Sequence, residues 1–138
     1  MQTLPVRLVP GDDLRGALEA IAKDRASAAG GTIGAAFVMQ GIGSLSVANL
    51  RYAGVEMPTR LTGDLEILTL AGSLAADGAH LHMAVSDSEG RVLGGHVSAG
   101  CIVRTTAEIL LVLLPDFHFS REVDPLTGFP ELSIQRQA

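Results

Sequence analysis

The sequence predicts an α+β fold: a mainly antiparallel sheet of about seven strands with one principal helix packed on it. Three observations lead there. Strand-like segments follow one another across short turns, which suits antiparallel pairing rather than long crossovers. One stretch only, Leu14, Ala17, Leu18, Ile21 and Ala22, has apolar residues at helical spacing. The near-continuous apolar run from Ala107 to Leu114 is too short for a membrane helix and suits a central strand. A length of 138 residues favours one domain over 1–138, able to bury a core without staples.

Gln2 to Val9 is the first predicted strand, with Leu4, Val6 and Leu8 on one face. Pro10-Gly11 ends it, and Asp12 or Asp13 can cap the helix. Arg15, Glu19, Lys23 and Asp24 lie on the wetter side, and Gly30-Gly31 stops the helix. This helix reads as a lid over one sheet face. Thr32 to Met39 predicts a buried strand, broken at Gln40-Gly41-Ile42-Gly43-Ser44. The Gly-x-Gly there lacks the third glycine and following helix of a dinucleotide site, so it reads as a tight turn or bulge. Ser44 to Arg51 alternates as a strand, and Tyr52 to Thr62 is a connection. Leu65 to Leu74 is the next strand, with Leu65, Ile67 and Thr69 opposed to Glu66, Leu68 and Leu70. Glu66, among so many apolar residues, is either exposed or paired with Arg51 or Arg121, and the ion pair is the preferred expectation. In the tail, Pro125 and Gly128 mark turns; Arg121 reads either as an ion-pair partner of Asp124 or Glu122 or, like Arg51, as an anion-binding residue near the hairpin.

The chemistry concentrates in a hairpin from Ala79 to Ser98. In a strand, residues two apart share a face, so His80 and His82 point the same way. Ser88-Glu89-Gly90 fits a three-residue loop, a type I turn closed by a glycine in the left-handed region. Asp87 then faces Arg91, and the ladder runs back to put His82 opposite His96, with Cβ atoms about 5 Å apart. A four-residue loop would turn His96 to the other face unless Gly94-Gly95 supplied a bulge. Zinc prefers imidazole nitrogen, and three histidines with an open fourth position form a catalytic-type arrangement. Iron, nickel or copper also suit these ligands. Set against this, His-x-His also occurs by chance on ordinary polar surfaces. Arg51, Glu66, Arg121 and Asp124 are candidate ligand or ion-pair residues near the hairpin. Cys101 falls on the face away from the histidines and reads as a small buried residue.

Composition bounds the partners. Hydrophobic residues make up 47% and mean hydropathy is +0.34, which predicts apolar surface buried between subunits, hence a homo-oligomer. Ten Lys+Arg stand against 15 Asp+Glu, a net charge of −5 with no basic run. That lowers the prospect of direct DNA binding, which needs a basic footprint. One cysteine and an N-terminus without signal-peptide character lead to an expectation of a cytoplasmic protein with no membrane span.

Gly63-Asp64-Leu65-Glu66-Ile67-Leu68-Thr69-Leu70-Ala71-Gly72-Ser73 resembles the corresponding segment of the PPC domain, the plants and prokaryotes conserved domain. The likeness continues through His80-Leu81-His82, Asp87 to His96, Gly100-Cys101-Ile102-Val103 and Thr106-Ala107-Glu108-Ile109, and ends in Arg121 to Phe129. It includes Gly41-Ile42-Gly43-Ser44 and Leu50-Arg51, and so spans nearly the whole chain. The resemblance implies a PPC-like antiparallel α+β fold assembled as a homotrimer. Single-domain prokaryotic members are described as predicted DNA-binding proteins. In plant members, AT-hooks contact the DNA, and this chain has no AT-hook. Some prokaryotic members carry a three-histidine zinc site, which His80, His82 and His96 match. Arg121, Asp124 and Thr127-Gly128 match too, without an assigned role. The implied function is a trimeric zinc-binding, regulatory module; a small zinc-dependent enzyme of unknown substrate is the alternative.

Overall fold

The computed structural model describes residues 2–28 and 34–137, with residues 24–28 described by backbone alone. The chain runs β1 (Gln2–Leu8), α1 (Leu14–Ala28), β2 (Ala36–Arg51), β3 (Thr59–Ala75), β4 (Gly78–Ser86), β5 (Val92–Val97), β6 (Ile102–Leu113), β7 (Phe117–Val123) and β8 (Pro130–Arg136). Six strands form one sheet in the order β1-β6-β2-β3-β4-β5, and β7 and β8 form a separate hairpin. All pairings are antiparallel. The fold class is as the sequence predicts, but the described residues form eight strands in two sheets rather than about seven in one. The predicted strands ending at Met39 and spanning Ser44 to Arg51 join as the one strand β2, and two unpredicted strands, β7 and β8, form the second sheet; both mix apolar with polar residues, so neither stands out as a strand in the sequence.

Asp13 is the helix cap: its Oδ1 accepts the Gly16 N–H at 2.9 Å. Leu14, Leu18 and Ala22 are fully buried against the sheet, as their spacing requires. The Gly30-Gly31 stop and the start of the Thr32 strand lie outside the described residues, as does the Asp24 side chain. The apolar β6 sits between β1 and β2, inside the sheet as predicted.

Two long strands depart from the sequence reading. β2 is not broken at Gly41-Ile42-Gly43; it continues to Arg51 and takes up irregularities as register shifts against β6. The bulge reading of that segment holds and the strand break does not. A side chain at Gly43 would run into the Thr106 carbonyl of β6, so glycine keeps the two backbones in pairing distance. In β3 the register shifts between Ile67 and Thr69. One extra residue reverses the alternation. Leu70 is therefore buried beside Leu65 and Ile67, while Leu68 and Thr69 face outward.

The C-terminal end of β2 reaches past β3 to pair with β5, at Leu50–Val97 and Arg51–His96. The sheet therefore curls partly closed. The β7–β8 hairpin is pinned by Phe119, buried among Ala35, Ala75, Phe37 and Leu132. Its ring meets Phe37 edge to face, centroids 5.4 Å apart.

Candidate functional site

The histidine hairpin forms in the predicted register. Gly90 is in the left-handed region (φ 78°), its N–H donates to the Asp87 carbonyl at 3.0 Å, and Asp87 N–H donates to the Arg91 carbonyl at 3.0 Å. The Asp87 carboxylate accepts the backbone N–H groups of Glu89 and Arg91. The Arg91 side chain bonds it at 2.8 Å and holds its carboxyl below the usual range. From this turn the ladder runs to His82 opposite His96. Alternation buries Ala79, Leu81, Met83 and Val85 and leaves His80 and His82 on the other face. One ring nitrogen from each of His80, His82 and His96 lies within 4.8 Å of the others. His80 Nε2 and His82 Nε2 are 3.2 Å apart.

Four elements surround this cluster. β5 pairing with β2 sets Arg51 directly beside His96. β3 sets Ser73 opposite His80, and the buried Ser73 hydroxyl accepts a bond of 2.7 Å from Arg121 Nη2 of β7. The helix contributes Arg15, which donates to the carbonyls of Val97 and Ala79 at 2.9 Å each. Its Nη1 is 3.4 Å from His96 Nε2. Glu19 pairs with Arg15 at 3.0 Å and accepts the Ala79 N–H. The helix is thus more than a lid: it ties β4 to β5 behind the histidines. Sequence reading placed Arg15 and Glu19 on a wet face and missed this. Their spacing of four on one helix face was the available signal.

Burial, then the charges of neighbouring His80, Arg51 and Arg15, pushes the His96 pKa down to about 4. Burial and then His82 and Arg121 lower that of His80. Both imidazoles are neutral near pH 7, with lone pairs available to an electrophile. Among the described residues, His96 Nδ1 is buried and has no hydrogen-bond partner. Three converging imidazoles, two held neutral and one with an orphaned ring nitrogen, fit a transition-metal ion.

A cavity of about 470 Å³ opens beside the cluster, lined by His80 and His96 together with Arg15, Arg51, Arg121 and Glu131. Arg51 and Arg121 thus share a cavity with His80 and His96, and Glu66 and Asp124 are not in its lining. Glu66 is exposed, paired across the strands with Ser44 and Ser86, and forms no ion pair with Arg51 or Arg121 among the described residues. The outward half of the β3 alternation carries it into solvent. Asp124 shapes the β7–β8 turn, where its Oδ1 accepts the Leu126 N–H at 2.7 Å. Arg121 pairs with neither Asp124 nor Glu122, since its guanidinium turns inward to Ser73. Cys101 is fully buried as predicted, and burial raises its thiol pKa.

Comparison with known proteins places these features in context. A curated relative, the Bifunctional protein GlmU of a Synechococcus strain, is 46% identical over 138 residues. The match takes in 100% of this chain and 21% of that protein, so the chain spans about a fifth of the curated relative's length. The structure of a hypothetical protein from Salmonella enterica superposes with a TM-score of 0.92 at 39% identity, covering 99% of this chain and 95% of that one. A metal-containing protein from Archaeoglobus fulgidus gives 0.79 at 25% identity, covering 96% and 94%. A candidate DNA-binding protein from Ralstonia eutropha gives 0.79 at 24% identity, covering 95% and 90%, a likeness of fold alone. The family model of the Plants and Prokaryotes Conserved (PCC) domain matches residues 1–115, from β1 through the histidine hairpin to the end of β6. The chain belongs to the Plants and Prokaryotes Conserved domain family.

Proposed function

We propose that the protein is a metal-binding regulatory module that holds zinc, or a similar divalent transition ion, on His80, His82 and His96 and works as a homotrimer. The observation that carries the reading is the convergence of three ring nitrogens within 4.8 Å, on a face set by one turn. An ion held by His80, His82 and His96 would supply Lewis-acid chemistry beside the cavity. The chain's own contribution is to orient the imidazoles: Arg15 and Glu19 fix the β4 and β5 backbones that carry them. Metal analysis of protein purified without a polyhistidine tag tests the site. About one ion per chain is expected, and none in the H80A/H82A/H96A variant; equal metal in both would remove the site.

Trimer formation is supported by an apolar outer face. Met39 and Ile42 of β2, Leu68 of β3 and Leu110 of β6 are exposed on adjacent strands, and clustered exposed apolar residues mark association surfaces. The cavity beside the histidines favours one second reading, a small zinc-dependent enzyme. Its acid would be Glu131 or Asp77, which line the cavity, rather than Glu66. DNA binding is the weaker partner reading, because a net charge of −5 offers no broad basic footprint. No helix among the described residues is long and apolar enough to cross a membrane.

A further inference from the structure

The metal reading leaves the arginines of the cavity unexplained. Three of the ten Lys and Arg residues of an acidic chain converge there, from α1, β2 and β7. Arg15 is committed, to Glu19 and to two backbone carbonyls. Arg51 and Arg121 form no ion pair among the described residues. Two carboxylates share the wall: Asp77 accepts the backbone N–H of Arg121 at 2.8 Å and Glu131 accepts the Thr127 hydroxyl at 3.0 Å, so among the described residues neither is bonded to a guanidinium.

Two guanidinium forks facing one concavity suit a planar or tetrahedral oxyanion, which each fork can bond through two parallel N–H groups. The neighbouring imidazoles bring no negative charge, so an ion they hold keeps its full charge and adds to the attraction. At about 470 Å³ the space is that of a small-molecule pocket, not of a groove tracking a polyanion. Arg121 lies on β7, past the stretch that the family model matches, so the clamp is assembled from the β2 end and the C-terminal hairpin together.

We propose that this cavity binds a small oxyanion, a carboxylate or phosphate group, clamped between Arg51 and Arg121 with one oxygen turned to the three-histidine centre. The contact with the centre rests on the metal-site reading; the arginine clamp does not. Malonate and inorganic phosphate are titrated separately by calorimetry into zinc-loaded and metal-free protein, and the tighter of the two assigns the anion chemistry. R51Q and R121Q are each expected to weaken binding at least about tenfold with the zinc content unchanged. R104Q, a control whose arginine pairs with Asp64 at 3.2 Å, is expected to bind as the wild type does. Metal-free protein is expected to bind more weakly, with the same arginine dependence. Should R121Q unfold through loss of its Ser73 bond, R51Q decides alone. Absence of saturable binding by either anion, or binding indifferent to R51Q, overturns the proposal. Protein that takes up no zinc yet binds an anion through Arg51 and Arg121 defeats the metal reading and upholds the clamp.

Discussion

Gly90 touches no histidine, yet it sets their geometry. Its φ of 78° lies where β-branched side chains are strained, although nothing within 4 Å would obstruct a Cβ. Replacement by valine therefore acts through backbone conformation alone. G90V is expected to shift the turn and weaken zinc affinity at least about tenfold, read by competition with a chelating dye; unchanged affinity would show that the strands hold register without the turn. His96 gives a pH prediction. An unfolded imidazole takes its proton near 6.5, and the folded one only near 4. Above 6.5 both forms are neutral and the group adds no pH dependence. As pH falls through 6.5 the unfolded state gains a proton that the folded state refuses, so stability declines until about pH 4. Melting of chelator-treated protein between those limits is expected to fall less steeply in H96Q than in wild type; parallel curves would contradict it.

At the scale of elements, Phe119 is the most deeply buried side chain of the β7–β8 hairpin. Phe119 is fully buried against Phe37, Ala35 and Ala75. Truncation to alanine is expected to destabilise by about 3–5 kcal/mol. The loss should be local first, because among the described residues β7 forms strand pairs with β8 and with no strand of the larger sheet. Hydrogen exchange of F119A is expected to speed up in β7 and β8 while β6 and β2 stay protected. Uniform acceleration would mean that the hairpin folds with the sheet as one unit. The helix and most strands were legible in sequence because apolar periodicity reports burial directly. The β3 bulge was not legible: the Ile67-Leu68-Thr69-Leu70 segment alternates plausibly in either register, and its pairing partner decides which face wins. Glu66 was misread as paired for a related reason, since only the sheet shows that its face looks into solvent.

For the whole molecule, the exposed apolar residues of β2, β3 and β6 are the surface on which the proposed trimer is tested. I42E and L68E together place charge in the middle of that apolar face. Sedimentation is expected to show wild type as a trimer and the double variant as a monomer, with melting of the chain otherwise retained. A variant that still sediments as the wild type would direct the interface elsewhere.

The sequence by itself determined the fold class, the helix, the central strand and the histidine register. Each rests on local rules: spacing along one segment, or a loop length that fixes parity between adjacent strands. His82 could be matched to His96 because only Asp87 to Arg91 intervene at the turn. The surroundings of the site were decided by tertiary structure alone. Arg51 meets His96 because β2 curls past β3 to pair with β5. Arg15 and Arg121 arrive from a helix and a hairpin whose placement depends on side-chain packing across the sheet, through Leu14 and Leu18 on one side and Phe119 on the other. Contacts between segments so far apart leave no periodic trace in a single chain, so the arginines of the cavity could be listed from the sequence but not brought together.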